Sequence, residues 1–506
     1  MVARSANAQT IWVRKASAVK SRSVLRRWSD PSKVSRVNSN RAQSAPVGKR
    51  GAQPAVDAQI FKAYDIRGIY PEQLDEDAAY RIGVGLSRSG ILKGENSLVV
   101  GRDMRESSAT LFEAFTAGAT ANGLKVVDIG LCTTPMLYFA VNELAASGGA
   151  MVTASHNPGH YNGFKLVREN AIPIGSGAGL ESIRGLATGV PSSQMYARQS
   201  KAERCDVTES YAEYFSKRFS IELDKPVIVD TGNGSTGPIL RRILEDQRIN
   251  HRELYFEPDG RFPNHEANPL KEETLADLKA AIAAMPDSIG AAFDGDGDRV
   301  CLVDENQEVV RGDLLCALLA EKLLEANGPA DILYDLRSSR VVPETIQASG
   351  GRPIKTRVGH AFVKAIMRER GALFGGELSY HYYFREFFHC ESGILTLLHV
   401  CRLLSETGKE LRELIAPLRK YAHSGEINFR VLDVKHVLKR LEARFDDGSI
   451  THLDGLSIDY TDWWFNVRPS NTEPLLRLNL EAATEDLMSE KVGLVTQIIN
   501  QEQEGG

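Results

Sequence analysis

The 506-residue sequence lacks any apolar run long enough to cross a bilayer, so a soluble body and no membrane partner are expected. Cysteine is sparse. Cys132, Cys205, Cys301, Cys316, Cys390 and Cys401 are scattered without paired CxxC spacing, in a chain too long to need stapling, which excludes a disulfide framework and reads as core thiols of a reducing compartment. No clear internal sequence repeat is present. Acid is nearly missing from the start: residues 1–50 hold twelve Lys or Arg against Asp30 alone, so a net charge of −5 leaves about −16 for residues 51–506. This basic, Ser-rich stretch, with Ile11, Trp12 and Val13 among its arginines, fits an organellar transit peptide, a disordered tail or a misassigned upstream start. Arg26-Arg27 has no following apolar region, which argues against twin-arginine export. Residues 1–56 are therefore set apart as a basic disordered extension. A cytoplasmic location is expected, with organellar import as the alternative, and no nucleic acid is expected for the folded body.

What is present is ordinary globular composition, 42% apolar and 25% charged, in a length that suggests three to five domains at roughly 100 to 200 residues each. "SLVVGRD" (97–103), "SATLFEAFTAGATANG" and "LKVVDIG" read as strand, helix and strand. "KPVIVDTGNGSTG" (225–237) leads into "PILRRILEDQ", and "DILYDLRSS" (331–339) leads into "VVPETIQASGG" and "RPIKTRVGH". The pattern predicts an α/β fold with three similar α/β domains of mixed, largely parallel sheets, over 57–202, 203–308 and 309–422. The remainder, 423–506, reads as a C-terminal α+β domain: Leu476, Leu478 and Leu480 alternate with Arg477, Asn479 and Glu481, which predicts one buried and one wet face.

Four stretches carry chemistry. "FDGDGDRVCLVDE" (293–305) places Asp294, Asp296 and Asp298 at alternate positions among glycines, which let the backbone curl so that the carboxylates converge; their repulsion implies a hard divalent cation. An EF-hand reading fails because its required glycine is Arg299 and strand-like "VCLV" follows. "TASHNP" (153–158) makes Ser155 either a turn residue or a reactive hydroxyl. A Ser-His-Asp triad is disfavoured, since adjacent Ser155 and His156 should point apart on an extended loop. "GGELSYHYYF" (375–384) offers Glu377, Ser379 and His381 on one side of an extended segment, suited to a polyhydroxylated ligand or to a plain wet strand face. "RPSNTEP" (468–474) gathers Arg468, Ser470, Asn471 and Thr472, which suits a phosphate or a structural turn.

In this order, from "FKAYDIRG" (61–68) almost to the C-terminus, the four motifs closely resemble those of the α-D-phosphohexomutases. The resemblance implies three α/β domains and a fourth α+β domain around a central cleft. It also implies a phosphoserine at Ser155, with Mg²⁺ held by Ser155, Asp294, Asp296 and Asp298, and a reaction through a hexose 1,6-bisphosphate that is also the activator. Lys165 of "NGFK" matches the family's acid-base lysine, Arg67 and His381 would position or share the proton, and His156 would orient Ser155. Arg299 and Arg337 would meet phosphate, with Arg337 standing where many relatives place a lysine. Glu377 and Ser379 would hold sugar hydroxyls, and Arg468, Ser470, Asn471 and Thr472 the phosphate that is not reacting. Tyr64 and His360 match further cleft positions. The partners implied are small hexose phosphates, handled by a monomer or a homodimer. "TASHNP" and "GELSYHYYFR" are similar to bacterial-type phosphomannomutases, so mannose phosphate is the expected substrate, with glucose phosphate the alternative. A non-catalytic sugar-phosphate-binding relative and a metal-dependent phosphatase are the rivals; intact Ser155, Lys165 and the three aspartates speak against the first.

Overall fold

The computed structural model describes residues 56–94, 96–190, 202–469 and 475–500. The basic extension lies outside the described residues except for Val56, which is buried in the first sheet's core, so the fold is already under way there.

Three sheets share one plan. In the first, Ser97–Arg102 pairs in parallel with Lys125–Leu131 and Gly148–Val152, and Tyr161–Arg168 then runs antiparallel to Gly148–Val152. In the second, Val227–Asp230 lies parallel to His251–Leu254 and Ile289–Phe293, with Val300–Val303 antiparallel beyond. In the third, Asp331–Asp335 lies parallel to Arg352–Thr356 and Phe374–Gly376, with Tyr382–Phe384 antiparallel beyond. The parallel strands read as unbroken apolar runs because helices cover both sheet faces, and Val99, Val100, Ile228, Val229, Ile332 and Leu333 are fully buried. Each helix expected after the first strand forms: Ser108–Thr120, Gly237–Asp246 and Val341–Ala348.

The fourth sheet is antiparallel, with Trp463–Pro469 beside Leu476–Ala482, which also pairs with Ala422–Phe429. Phe465, Val467, Leu478 and Leu480 point into a separate core with Val437, Leu441 and Ile499. The opposite face differs from expectation: Asn466, Arg468, Asn479 and Glu481 are buried too. The third sheet's region meets part of this face, while Asn466 bonds the Asp454 and Leu456 carbonyls and Ser457 Oγ of its own sheet's region. Glu481 Oε1 accepts from Arg340 N at 3.0 Å and from Trp464 Nε1 at 2.9 Å, and the Arg340 guanidinium binds the Tyr460 and Thr461 carbonyls. Alternation reports which residues share a face and is silent on what packs there.

A second tie crosses from the first region to the third. Lys364, on the helix His360–Arg370, and Glu391 are fully buried and meet at 2.8 Å. Lys364 Nζ also donates to Tyr138 Oη at 3.1 Å, from the helix Thr134–Glu143.

Candidate active site

The three chemical loops occupy equivalent places. Each is the hairpin joining a parallel strand to the antiparallel strand that follows it: residues 153–160, 294–299 and 377–381. Carboxyl ends of parallel strands are where α/β sheets leave loops free to bind.

Ser155 sits at the tip of the first hairpin with φ of 51°, a left-handed conformation that costs a non-glycine residue about 1 kcal/mol or more. Surrounding contacts hold it there. Its N–H donates to Thr153 Oγ1 at 2.9 Å, and its Oγ donates to Asp294 Oδ2 at 2.7 Å. The turned backbone also brings Ser155 Oγ to 3.3 Å from His156 Nδ1, so the two side chains do not point apart as expected.

Asp294, Asp296 and Asp298 are buried, with ligand oxygens within 4.8 Å of one another. Both glycines between them are needed. A Cβ on Gly295 would lie 2.6 Å from the Ser155 carbonyl oxygen, and Gly297 has φ of 73°. Val300–Val303 follows as a strand, which removes the EF-hand reading. Lys165, on Tyr161–Arg168, donates to Asp296 Oδ2 at 2.6 Å and to Asp298 Oδ2 at 2.5 Å. Burial opposes its charge, but the neighbouring aspartates overcome this and hold the ammonium above its ordinary range. Burial, then Asp298 and Asp296, pushes the Asp294 carboxyl well up. Burial also works against Asp298, yet Lys165, His381 and Arg299 hold it well below the usual range. Among the described residues, Asp296 Oδ1 and Asp298 Oδ1 are buried without a hydrogen-bond partner, although Asp298 Oδ1 lies 3.4 Å from His381 Nε2. Two orphaned carboxylate oxygens beside the Ser155 hydroxyl are the donor set a hard divalent cation takes, so the residues fit such an ion.

The third hairpin is a tight turn rather than the extended segment expected: Tyr380 N donates to Glu377 O at 3.1 Å, and Tyr380 has φ of 69°. The turn still gathers the expected residues. His381 Nδ1 lies 3.2 Å from Ser379 Oγ and 3.3 Å from Glu377 Oε2, and Arg299 Nε meets His381 Nε2 at 3.0 Å. Burial and Arg299 oppose protonation of His381, but Asp298 and Glu377 raise it to about 9. Nε2 faces the Arg299 N–H at 3.0 Å and Asp298 Oδ1 at 3.4 Å, so the guanidinium and the carboxylate compete for that nitrogen. Glu377 is engaged on both oxygens, by Gly359 N at 2.9 Å and Tyr383 Oη at 2.5 Å.

Arg67 holds Asn157 Oδ1 at 2.6 Å and Asp65 Oδ2 at 2.5 Å. Tyr64 donates to Val358 O at 3.0 Å and packs edge-on against His360, whose ring lies 6.5 Å from that of His381. Removal from water, then the Lys364 charge, holds His360 well below its usual range; removal from water, then Arg299, does the same for His156. Arg337 binds Asp335 Oδ2 at 2.6 Å, and the same oxygen accepts from Leu378 N at 2.9 Å, which ties the third hairpin to the arginine. Arg468 donates to Glu426 Oε2 at 2.9 Å. Ser470, Asn471 and Thr472 lie outside the described residues.

Four family profiles match in chain order: phosphoglucomutase/phosphomannomutase alpha/beta/alpha domain I over residues 58–188, domain II over 209–308, domain III over 311–421, and the C-terminal domain over 426–492. A phosphomannomutase of Methanocaldococcus jannaschii is 41% identical over 449 residues, 88% of this chain and 98% of that protein. The chain belongs to the phosphoglucomutase/phosphomannomutase family. A phosphomannomutase of Escherichia coli K12 is 37% identical over 433 residues, 83% of this chain and 94% of its own. A crystal structure of a phosphoglucomutase/phosphomannomutase family protein from Burkholderia thailandensis superposes with a TM-score of 0.80 at 31% identity, covering 89% of this chain and 99% of that one.

Within this phosphoglucomutase/phosphomannomutase fold, three groups at the site were not anticipated from sequence. Thr134, opening the helix Thr134–Glu143, gives its Oγ1 proton to Asp296 Oδ2 at 2.6 Å and its N–H to Asp296 O at 2.9 Å. Arg105 uses all five N–H donors: Asp103 Oδ2 at 3.1 Å, and the carbonyls of Ser155 at 2.8 Å, Asn157 at 2.5 Å, Pro158 at 2.6 Å and Tyr161 at 3.1 Å. Glu426 lies among three guanidiniums. The signal for Arg105 was its position, just past the carboxyl end of a parallel strand.

Proposed function

We propose that the protein interconverts the 1- and 6-phosphates of a hexose, mannose first, through a phosphorylated Ser155 and a hexose 1,6-bisphosphate. One observation carries this reading: the Ser155 hydroxyl, held in a strained turn, lies 2.7 Å from the first of three buried carboxylates whose free oxygens suit a divalent cation. Asp294, Asp296 and Asp298, with the phosphate on Ser155, would hold Mg²⁺, which when bound offsets their negative charge and polarises the phosphorus. A phosphoserine adds about −1.5 to −2 charge, which Lys165 and Arg299 by themselves do not balance against three carboxylates.

In the first half-reaction the bond from Ser155 Oγ to phosphorus breaks as the free sugar hydroxyl bonds to that phosphorus. The hydroxyl's proton leaves and a proton reaches Ser155 Oγ; Lys165, with His381 and Arg67 close to the same hairpins, carries the exchange once Asp296 and Asp298 turn to the cation and no longer hold its proton. The bisphosphate then turns end for end, and its other phosphate returns to Ser155. Ser379, His381 and the remaining lone pairs of Glu377 hold sugar hydroxyls in both poses, and Arg337 and Arg468 grip the remote phosphate. Held there, the remote phosphate positions the reacting hydroxyl, so binding energy lowers the barrier. Mannose is preferred because the "TASHNP" and "GELSYHYYFR" stretches are similar to those of bacterial-type phosphomannomutases, and both relatives at 41% and 37% identity carry that name.

The test is phosphorus NMR of separate tubes of mannose, glucose and glucosamine 1-phosphates with enzyme, Mg²⁺ and a trace of glucose 1,6-bisphosphate. Mannose 1-phosphate should convert at least as fast as glucose 1-phosphate, and EDTA should stop conversion until Mg²⁺ is restored. A strong glucose preference reassigns the substrate. Free phosphate from Ser155→Ala protein would replace the mutase with a phosphatase that uses water directly.

A further inference from the structure

The anion-binding corner of the cleft holds a negative charge of its own. Arg468 and Arg477 are direct cross-strand partners on Trp463–Pro469 and Leu476–Ala482, an arrangement in which like charges repel. Arg337 reaches the same point from the third sheet. All three meet Glu426: Oε2 lies 2.9 Å from Arg468 Nη2 and 3.5 Å from Arg337 Nη1, and Oε1 lies 3.1 Å from Arg477 Nη1. Local structure aims this carboxylate. The strand Ala422–Phe429 bulges between His423 and Glu426, where Gly425 has φ of 68° and donates to His423 Nδ1, while Ser424 Oγ accepts from Leu480 N. Bulges re-aim side chains beside binding sites. One carboxylate does not saturate the cluster: among the described residues, Arg468, 2% exposed, keeps a buried Nε without an acceptor, and both polar side-chain atoms of buried Asn479 are without a partner.

We propose that Glu426 is an internal counter-anion that holds Arg337, Arg468 and Arg477 in a phosphate-binding array and competes with the phosphate that enters it. The proposal rests on the mutase reading, because it explains how a site that must grip the remote phosphate also lets it go at every turnover. A dianionic phosphate pairs with two or three guanidinium forks better than one carboxylate does, so it displaces Glu426. The returning carboxylate then weakens the grip and frees the bisphosphate to turn. Without that competitor, ground state and transition state are held more tightly alike, which lowers KM without raising kcat.

Glu426→Gln keeps the shape and removes the charge. Isothermal titration with inorganic phosphate, in Mg²⁺ and without sugar, should show at least about tenfold tighter binding than wild type, on the scale of close interfacial charge pairs. The gain should vanish when Arg468→Gln is added, which places the bound phosphate at this corner. In turnover, KM for the hexose 1-phosphate and kcat should fall together. A scaffold role predicts the opposite: weaker phosphate binding, raised KM and a lower melting temperature. Unchanged or weaker phosphate binding by Glu426→Gln, no phosphate binding by either protein, or a gain that survives Arg468→Gln overturns the proposal. Titration needs no turnover, so wild-type protein that converts no hexose phosphate would refute the mutase reading alone.

Discussion

Arg105→Lys isolates the support of the reactive serine from its chemistry. Arg105 and Asp103 are buried, and the guanidinium satisfies five acceptors, four of them carbonyls in the segment from Ser155 to Tyr161. Lysine keeps the charge but has three donors on one nitrogen, so at least two acceptors lose their partner. At about 1–3 kcal/mol for each buried acceptor left unpaired, the cost is about 2–6 kcal/mol. The acceptors belong to the turn that holds Ser155 at positive φ, so the serine should move as well. A displacement near 1 Å costs about 10²-fold in rate. Melting followed by circular dichroism, alongside kcat with hexose 1-phosphate, separates the two effects: both should fall, while KM changes little because Arg105 faces the backbone of the hairpin. A variant that melts with wild type and keeps kcat within about threefold would refute the claim that this guanidinium fixes the serine turn.

Gly295→Ala should act on the same serine from the other side. The new methyl would press on the Ser155 carbonyl oxygen at 2.6 Å, a backbone atom that cannot rotate away, so kcat and the phosphate found on Ser155 by intact mass should both fall, kcat by about 10²-fold. His423 gives a pH signature. Burial, then Arg311, lowers its imidazole from the ordinary 6.5 to about 4, and the neutral ring fits its contacts, with Nδ1 accepting from Gly425 N at 2.9 Å and Nε2 at 3.2 Å from Arg337 O. Because the folded value is depressed, the contribution is complete above pH 6.5 and shrinks as pH falls towards 4, where the unfolded chain takes up a proton the folded one refuses. The stability advantage of wild type over His423→Gln in urea should therefore shrink by about 2–3 kcal/mol between pH 7 and pH 4, and an advantage constant over that range would rule out a neutral ring in these contacts.

The aspartate loop and the parallel strands were legible because their signals are local. Alternating carboxylates with glycines between them, and apolar runs of four or five residues, say the same thing wherever the chain carries them. Arg105 was not legible, since four of its five acceptors lie about fifty residues further along and are main-chain atoms, which leave no mark on residue identity. The sheet of 423–506 shows the same limit: the alternation of Leu478 and Asn479 gave the faces correctly, but Glu481 on the polar one is met by Arg340, more than a hundred residues away. The left-handed backbone at Ser155 is likewise imposed by Arg105, Thr153 and Asp294 rather than by serine's own preference.

The contact of Tyr138, Lys364 and Glu391 has a consequence for assembly. An ion pair taken wholly out of water adds little net strength, because lost hydration nearly cancels the attraction, whereas either charge buried alone costs about 3–5 kcal/mol. If the helix Thr134–Glu143 and the helix His360–Arg370 met one turn out of register, Tyr138 would miss its partners and the lysine-carboxylate pair would face apolar side chains. The pair thus works as a keyway, rejecting wrong seatings more than it strengthens the right one. Chains that settle in it bring the hairpins of Ser155 and His381 to one cleft, so the accuracy of the reacting centre is inherited from a contact that takes no part in the reaction.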